Sequence, residues 1–499
     1  MDMSLQKRLG SGRRALLVGL GVLGCCLLAD LMQADVSSAA YKAPAGVPPT
    51  GINCAASDGK ISGRGSTLQE ALQGVFAQGY RDSFCGNTTN SPEDEAGNTM
   101  VGYNYAAAQA ASATGSGAGL KATSCRTDAY GGTDTPYSQE QLEALNAAPG
   151  AETTPAECEI KFTPPFAPKA PFPNASDIAA PVMSFPIAAG AVAIAVNLTG
   201  GSPAICKKAV PTKLEFNAKE MSRLVGGDAA TWADAELDAT DPILKTDECT
   251  GAITRIVRQD SSGTTSVFKQ YLIRAANELT GTGFTCAVGK KWSQYFSTNT
   301  EWPGKQHPGE EGTCSTITPP AKSGNLEVLA SLKATPGAIG YADLFQETGN
   351  AGIITATVQN QVETSFQSPA AGKSSNCNVG VVSLPENGSA EGAVGLDSKD
   401  DWSTNNEEKN GVENHQDLAD VGAKYPICGL TFDLVYSGLA NGAVANAIAP
   451  LTADQRRTLY GYFSYVETTA AQSLGAQNFY AALPQPWVST IREGFQENF

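Results

Sequence analysis

The segment IVRQDSSGTTSVFKQYLIRAANEL, residues 256–279, contains the turn that best indicates the fold. Apolar Ile256 and Val257 close a predicted strand, and Arg258 opens a turn filled with hydroxyl residues. Apolar residues at helical spacing follow at Phe268, Leu272, Ala276 and Leu279. A strand that enters a helix through a turn rich in donors predicts an α/β fold and a site for one small anion.

The overall charge limits the classes of ligand. The chain has 499 residues and a formal net charge of -16, which disfavours general affinity for nucleic acid and other polyanions. A small anion is still compatible, because local dipoles and donors decide its binding. The length is too great for one simple core, so we expect two lobes.

The N-terminus has the pattern of a secretory signal. Basic residues precede the apolar run ALLVGLGVLGCCLLA, and small residues follow it. We therefore expect a signal peptide over residues 1–40, cleavage after Ala40 and an exported protein. Three alternatives stay open: a single spanning anchor, acylation at Cys25 in the lipobox-like VLGC, and twin-arginine export through Arg13 and Arg14.

The cysteines indicate a disulfide framework. Removal of the signal takes two of the twelve cysteines, and an even number in an exported chain is typical of disulfides. Closely spaced pairs of the zinc-binding kind are absent from the sequence. Sequential pairing is the simplest of many connectivities, and it stays open here. The remaining cysteines are Cys54, Cys85, Cys125, Cys158, Cys206, Cys249, Cys286, Cys314, Cys377 and Cys428.

Composition divides the mature chain into segments. Residues 41–54 are rich in Pro and Gly and predict a flexible tether. Residues 181–198 and 334–345 predict strands, and residues 451–468 predict an amphipathic helix. Residues 377–428 are polar and rich in Asn, Gly and Asp, which predicts an exposed insertion closed by its two end cysteines.

Two more turns repeat the chemistry of the first. SGRGSTLQEAL (62–72) predicts a strand, a glycine-rich turn and a helix, with Thr67 and Glu70 as a capping box. TGSGAGLKA (114–122) places Ser116 at a helix start in the same way. A hydroxyl at a helix start is more often an ordinary cap than a ligand. Three such turns in one chain favour anion binding.

Two other uses of these turns are excluded or disfavoured. None has the lysine that a nucleotide-binding P-loop requires. The chain has no G-x-S-x-G elbow, and its two histidines, His307 and His415, lie in polar loop-like surroundings, so a hydrolase is disfavoured. The segment YGGTDTPYSQEQL adds Asp134, which alone would be read as a turn aspartate.

In this order, the motifs resemble those of the high-affinity phosphate-binding proteins that supply ABC-type phosphate importers. GRGSTL resembles the family's Gly-Ala-Gly-Ala-Thr-Phe and implies Thr67 and the backbone of Leu68 as ligands. GSGAGL resembles Gly-Ser-Ser-Gly-Gly-Val and implies Ser116. GGTDTP resembles Gly-Ala-Ser-Asp-Ala-Pro and implies Asp134.

The opening segment carries the most specific part of the resemblance. RQDSSGT matches Arg-x-Asp-Gly-Ser-Gly-Thr. FPIAAGAVAIAVNL and TPGAIGYAD resemble the family's two lobe-crossing segments. The implied phosphate ligands here are Arg258, Ser262, Gly263 and Thr264, with Asp260 as the partner of the arginine.

The resemblance implies a two-lobed periplasmic-binding-protein fold of the α/β class, with strands crossing the hinge and a ligand cleft between the lobes. We expect lobe I to span residues 55–190 and 345–499, with the insertion near 377–428, and lobe II to span residues 191–344. The implied partners are inorganic phosphate and the membrane permease of an ABC importer. We expect a monomer without catalytic activity, cofactor, metal or nucleic acid.

The sequence also departs from the family pattern. Arg64 and Leu68 replace a small residue and an aromatic, and Arg64 could add positive charge near the site. Binding of another oxyanion, such as sulfate or a phosphonate, is therefore one alternative, and a secreted structural protein on the same fold is another. Asp134 favours phosphate, because an ionised carboxylate accepts the proton that phosphate carries and sulfate lacks.

Overall fold

The computed structural model describes residues 59–84, 101–104, 115–124, 127–135, 182–234, 241–280, 300, 302, 321–360, 364–381, 418–419, 422–436 and 451–498. These residues belong to one compact unit, Pro44–Phe499. The predicted signal peptide, the tether and most of the polar insertion lie outside the described residues, as do His307 and His415.

The described residues form strands and helices in alternation. The strands are β1 (Ile61–Gly65), β2 (Val101–Asn104), β3 (Tyr130–Thr133), β4 (Val182–Asn197), β5 (Glu215–Phe216), β6 (Thr254–Arg258), β7 (Ala321–Lys322), β8 (Ala338–Asp343), β9 (Ile354–Thr355), β10 (Thr357–Gln359), β11 (Phe366–Gln367), β12 (Ala370–Ala371), β13 (Ser374–Ser375), β14 (Cys428–Tyr436) and β15 (Tyr480–Ala481). The helices are α1 (Glu70–Phe84), α2 (Ser116–Ser124), α3 (Ala218–Gly226), α4 (Pro242–Thr246), α5 (Gly263–Thr280), α6 (Gly324–Ala334), α7 (Leu344–Glu347), α8 (Ala453–Val466), α9 (Thr469–Ala476) and α10 (Gln485–Asn498). A short 3-10 helix spans Val379–Val381.

Two parallel units with the same topology form the two ends of the main sheet. β1 lies between β2 and β3, and β6 lies between β7 and β8, with parallel pairing throughout each unit. A helix follows the first and second strands of each unit. The carboxyl end of the central strand in such a unit is where ligands bind in open α/β sheets. The turns predicted to bind the anion follow β1 and β6.

The long strand β4 connects the two units through antiparallel pairing. Residues 182–191 of β4 pair with β14, which also pairs with β3. Residues 192–197 pair instead with β8. This confirms the strand predicted over residues 181–198 and an α/β fold with crossing strands. The lobe boundaries given above stay a prediction.

Local sequence explains two of the helices. The predicted apolar stripe of α5 is buried at Phe268 and Leu272. The predicted C-terminal helix is confirmed as α8. It begins after Thr452, whose hydroxyl accepts from Gln455 N while Gln455 Oε1 accepts from Thr452 N. This reciprocal cap satisfies two donors that a helix start leaves free.

Two disulfides lie in the described part of the chain. They join Cys206 to Cys249 and Cys377 to Cys428. Both follow sequential pairing, the simplest of the connectivities that the sequence allowed. The other cysteines lie outside the described residues.

Candidate anion site

The first loop of the site joins β1 to α1. Gly65 has φ +145°, and a Cβ there would lie 1.9 Å from Gly132 O, so only glycine allows the loop to pack on β3. Ser66 N then donates to Gly132 O at 2.8 Å. Thr67 is buried, and its Oγ1 has no hydrogen-bond partner. A buried hydroxyl without a hydrogen-bond partner destabilises the folded state unless a ligand forms that bond.

The predicted capping box of Thr67 and Glu70 is wrong. α1 begins only at Glu70, and the Glu70 carboxylate accepts from Gln346 Nε2 at 2.8 Å instead of turning back to Thr67. Ser66 acts within the turn, since its Oγ accepts from Leu68 N at 3.0 Å. The Thr67 hydroxyl is thereby left available to a ligand, whereas the predicted backbone donor of Leu68 is engaged by Ser66.

Asp134 follows β3 and is buried against three hydroxyls. Its Oδ2 accepts from Ser66 Oγ at 2.5 Å and from Ser116 Oγ at 3.4 Å. Its Oδ1 accepts from Thr431 Oγ1 at 2.7 Å. Asp134 N donates in turn to Ser116 Oγ at 2.9 Å. Asp134 therefore belongs to a buried cluster of hydroxyls from different loops and is not an isolated turn residue.

Burial changes the titration of Asp134. Loss of hydration raises its pKa from 3.8 to about 6, and the donors and the charge of Arg258 limit the rise. The folded-state pKa thus lies above the unfolded one, so the protonated form favours folding. This contribution to stability is complete below the ordinary pKa and is lost as the pH rises through about 6. At neutral pH Asp134 is mainly ionised.

Arg258 ends β6 and is 1% exposed. Its Nε and Nη2 donate to the carboxylate of Asp260, and its Nη1 donates to Asn325 Oδ1 at 2.7 Å. Burial by itself lowers the pKa of Arg258, but the charge of Asp260 outweighs this and the pKa is raised. Each guanidinium nitrogen gives one N–H to these bonds. One further N–H on each Nη atom can form a fork for an anion.

The turn before α5 contains the last group of predicted ligands. Ser262 caps the helix, since its Oγ accepts from Thr265 N at 3.2 Å and its N donates to Thr300 O at 2.8 Å. Thr264 is buried, and its Oγ1 has no hydrogen-bond partner. Gly263 and Thr264 begin α5, where backbone N–H groups have no acceptor within the helix. The backbone N–H of Ser262 is therefore engaged, while its hydroxyl, which accepts here, keeps an O–H that can donate to a ligand.

Gly263 brings the two halves of the site together. A Cβ at this position would lie 2.1 Å from Ser116 Oγ and 2.4 Å from Asp134 Oδ2, so only glycine permits the contact. Gly117 N also donates to Ser261 O at 3.1 Å. The start of α5 thus lies against the start of α2 and against Asp134.

The described structure brings the loops after β1, β3 and β6 and the start of α2 into one cluster. Sequence reasoning missed three of its residues: Ser66, Asn325 and Thr431. Asn325 joins two loops, because its Oδ1 accepts from Arg258 while its Nδ2 donates to Thr67 O at 3.3 Å. Ser66 could have been found as a second hydroxyl of the GRGSTL turn. Asn325 and Thr431 lie far away in sequence and carried no motif.

Arg64 is paired with a carboxylate and does not act as a free cation. Its Nε lies 3.1 Å from Asp128 Oδ2, and Asp128 also accepts from Ser62 Oγ at 3.0 Å. Asp128 precedes β3, at the end opposite to Asp134. Its carboxylate offsets the charge that Arg64 was expected to bring toward the ligand.

Comparison with known proteins identifies similar chains. A family model described as a PBP superfamily domain matches residues 55–370. No curated protein sequence matches the chain significantly. Among the described residues, none of the helices is long and apolar enough to cross a membrane.

Solved structures share the fold at low identity. One is a high-affinity periplasmic phosphate-binding protein (PfluDING) bound with phosphate, with TM-score 0.50 and 19% identity over 87% of this chain and 93% of that chain. A human phosphate-binding apolipoprotein gives TM-score 0.51 and 17% identity over the same shares. A phosphate-binding protein from Stenotrophomonas maltophilia gives 0.50 and 15%, again over 87% and 93%. These likenesses identify the two-lobed periplasmic-binding-protein fold.

Proposed function

Because the chain belongs to the PBP superfamily, we propose that it binds inorganic phosphate outside the cytoplasm and delivers it to the membrane permease of an ABC-type importer. The observation that supports binding most directly is the convergence of Arg258, Asp134 and two buried hydroxyls without partners, Thr67 and Thr264. Phosphate-binding proteins with the same fold add support.

The proposed ligand set satisfies the chemistry of a dehydrated anion. Each oxygen of a buried phosphate needs donors to replace its hydration. Arg258 supplies a fork and charge, which Asp260 orients and offsets. Asp134 accepts the proton of the ligand, so it discriminates against sulfate. The remaining proposed donors are Thr67, Ser116, Ser262, Gly263 and Thr264. The backbone N–H of Leu68 is also proposed as a donor, and to bind phosphate it exchanges its bond to Ser66 Oγ for one to the ligand.

We further propose where the protein acts and how it binds phosphate without catalysing a reaction. The chain acts as an exported monomer that is periplasmic, associated with the cell envelope or extracellular. Lobe I spans residues 55–190 and 345–499, and lobe II spans residues 191–344. The change of pairing partner along β4, from β14 to β8, supports the first boundary. The two lobes close over the anion about these crossing strands.

Equilibrium titration of the protein with phosphate, sulfate and arsenate tests this function. We expect saturable phosphate binding at one site and much weaker sulfate binding. Tight sulfate binding would replace the proposal with another oxyanion receptor. Failure to bind any of the three anions would favour a structural protein on the same fold.

Asp134→Asn is expected to reduce the selectivity of the protein for phosphate over sulfate. The amide keeps the shape, removes the charge and supplies N–H donors that a fully deprotonated anion can use. Sulfate affinity relative to phosphate affinity should therefore rise by about 1–3 kcal/mol. Competition titrations of both proteins at one pH measure this ratio.

Asp128→Asn is the matched control for that experiment. Asp128 is a partly buried turn aspartate beside β3, but its partners are Ser62, Arg64 and Thr127. The control should change stability and leave the ratio of sulfate to phosphate affinity unaltered. A ratio that also stays constant in Asp134→Asn would exclude a proton-sensing role for Asp134.

A further inference from the structure

A buried chain of hydrogen bonds ends at Asp134. Gln73 Nε2 donates to Gln69 Oε1 at 2.6 Å, and Gln69 Nε2 donates to Thr431 Oγ1 at 2.9 Å. Thr431 Oγ1 lies 2.7 Å from Asp134 Oδ1. Gln69 and Thr431 are completely buried, so water cannot replace either partner. The amide and hydroxyl side chains in this chain are not among the proposed phosphate ligands.

The direction of this chain is fixed by a backbone carbonyl. Gln69 Nε2 also donates to Phe432 O at 3.0 Å, and a carbonyl can only accept. The nitrogen of the Gln69 amide must therefore face Thr431, whose oxygen accepts. The single O–H of Thr431 is then directed elsewhere. Asp134 Oδ1 at 2.7 Å is a nearer acceptor than Thr133 O at 3.5 Å.

A bulge in the sheet lies at Thr431. Thr431 lies opposite Ala188 in β4. Phe432 lies opposite Pro186, so Ile187 is an extra residue in β4 between these two pairs. Bulges bend a strand and redirect side chains, and they are frequent beside functional sites. The register of β14 therefore changes at the residue that contacts Asp134.

We propose that Thr431, oriented by Gln69, is a positioning residue that sets anion selectivity by holding Asp134 as an ionised acceptor. The inference rests on the proposed function. Thr431 donates to Oδ1, while Oδ2 accepts from Ser66 and Ser116 and lies beside the start of α5, where it can also accept the proton of the ligand. A hydrogen bond donated to a carboxylate favours its charged form.

Besides the three hydroxyls that donate to Asp134, one charged group favours its ionised form. The titratable groups that interact with it from the packed elements are Arg258 at the end of β6, Asp343 at the end of β8 and Tyr480 in β15. Burial raises the pKa of Asp343 and that of Tyr480 well above their ordinary values, which favours the neutral form of each. Tyr480 Oη donates to Leu68 O at 2.9 Å and not to Asp134. Arg258 is therefore the charge, and Ser66, Thr431 and Ser116 are the donors, that favour the ionised form of Asp134. Thr431 is the donor among them that comes from β14.

Thr431→Val tests the role, because valine keeps the shape and removes the donor. We expect the pH at which sulfate becomes tolerated to move from near 6 in the parent protein toward neutral pH. At neutral pH the ratio of sulfate to phosphate affinity should rise up to about tenfold, as the protonated fraction of Asp134 grows. Thr431→Ser keeps the hydroxyl and should retain the parental pH profile.

A second variant reverses the direction of the hydrogen bond between residue 69 and Thr431. Gln69→Glu puts an acceptor where the amide nitrogen stood, so the Thr431 hydroxyl turns away from Asp134. The pH profile should then shift in the same direction as in Thr431→Val. This variant also provides the test should the valine variant fail to fold.

The readouts separate this inference from the proposed function. Competition titrations across pH are combined with an NMR titration of the Asp134 carboxyl group in ligand-free protein, which needs no phosphate binding. A parent protein that binds no phosphate overturns the proposed function alone, and the NMR shift then decides the role of Thr431. A parent that discriminates, with an unchanged pH profile and Asp134 pKa in the Thr431→Val and Gln69→Glu variants, overturns the inference alone.

Discussion

Arg258→Ala is expected to weaken phosphate binding by about 3–5 kcal/mol, the cost of leaving a buried charge without its partner. In the folded protein Arg258 is almost completely buried, and Asp260 and Asn325 fix its guanidinium. Arg258 is the described arginine whose side chain contacts both Asp260 and Asn325 within the cluster of loops. The truncation therefore removes both the fork and the charge that an incoming anion needs. Isothermal titration with phosphate measures the loss.

Two further variants make this experiment specific. Arg258→Lys keeps the charge but not the planar fork, so its affinity should lie between those of the parent and the alanine variant. Arg64→Ala removes the arginine of the first loop, whose charge Asp128 already offsets. A partly exposed pair of this kind contributes about 0–1 kcal/mol, so phosphate affinity should scarcely change. Parental affinity in Arg258→Ala, checked for folding by its thermal unfolding, would place the anion site elsewhere.

The parts of the fold that the sequence predicts are those determined by local chemistry. The RQDSSGT turn contains a strand end, an arginine with its aspartate, and a helix start within a few residues, and the structure has β6, the Arg258–Asp260 pair and α5 there. β4 is likewise predictable, because a long apolar run with β-branched residues favours a buried strand. In the RQDSSGT turn, the paired residues Arg258 and Asp260 are also close in sequence.

The parts that the sequence does not predict depend on distant pairing. Thr431 reaches Asp134 because β14 pairs with β3, across 297 positions of sequence. Asn325 reaches Arg258 because it lies at the start of α6, after a strand that pairs with β6. The capping box was mispredicted for a related reason. Once Gln346 contacts Glu70, tertiary packing outweighs the local cap that Thr67 would have offered.

Loss of the Cys377–Cys428 bridge is expected to lower the free energy of unfolding by about 2–5 kcal/mol. The bridge spans 51 positions, so its removal frees a long loop in the unfolded chain. Cys428 is also the first residue of β14, the strand that carries Thr431 to Asp134. Urea unfolding of the double alanine variant measures the cost.

The mature protein should show no free thiol under denaturing conditions before reduction.

The Cys206–Cys249 bridge offers a matched comparison, because it spans 43 positions. The loop-closure cost depends only on the logarithm of length, so both double alanine variants should lose similar stability. Their effects on the site should differ. Cys206 and Cys249 join the loop after β4 to the residues after α4, so phosphate affinity and selectivity should survive their loss. Loss of Cys377–Cys428 loosens the start of β14 and should reduce discrimination against sulfate. Equal selectivity in the two variants would show that the position of Thr431 does not depend on this bridge.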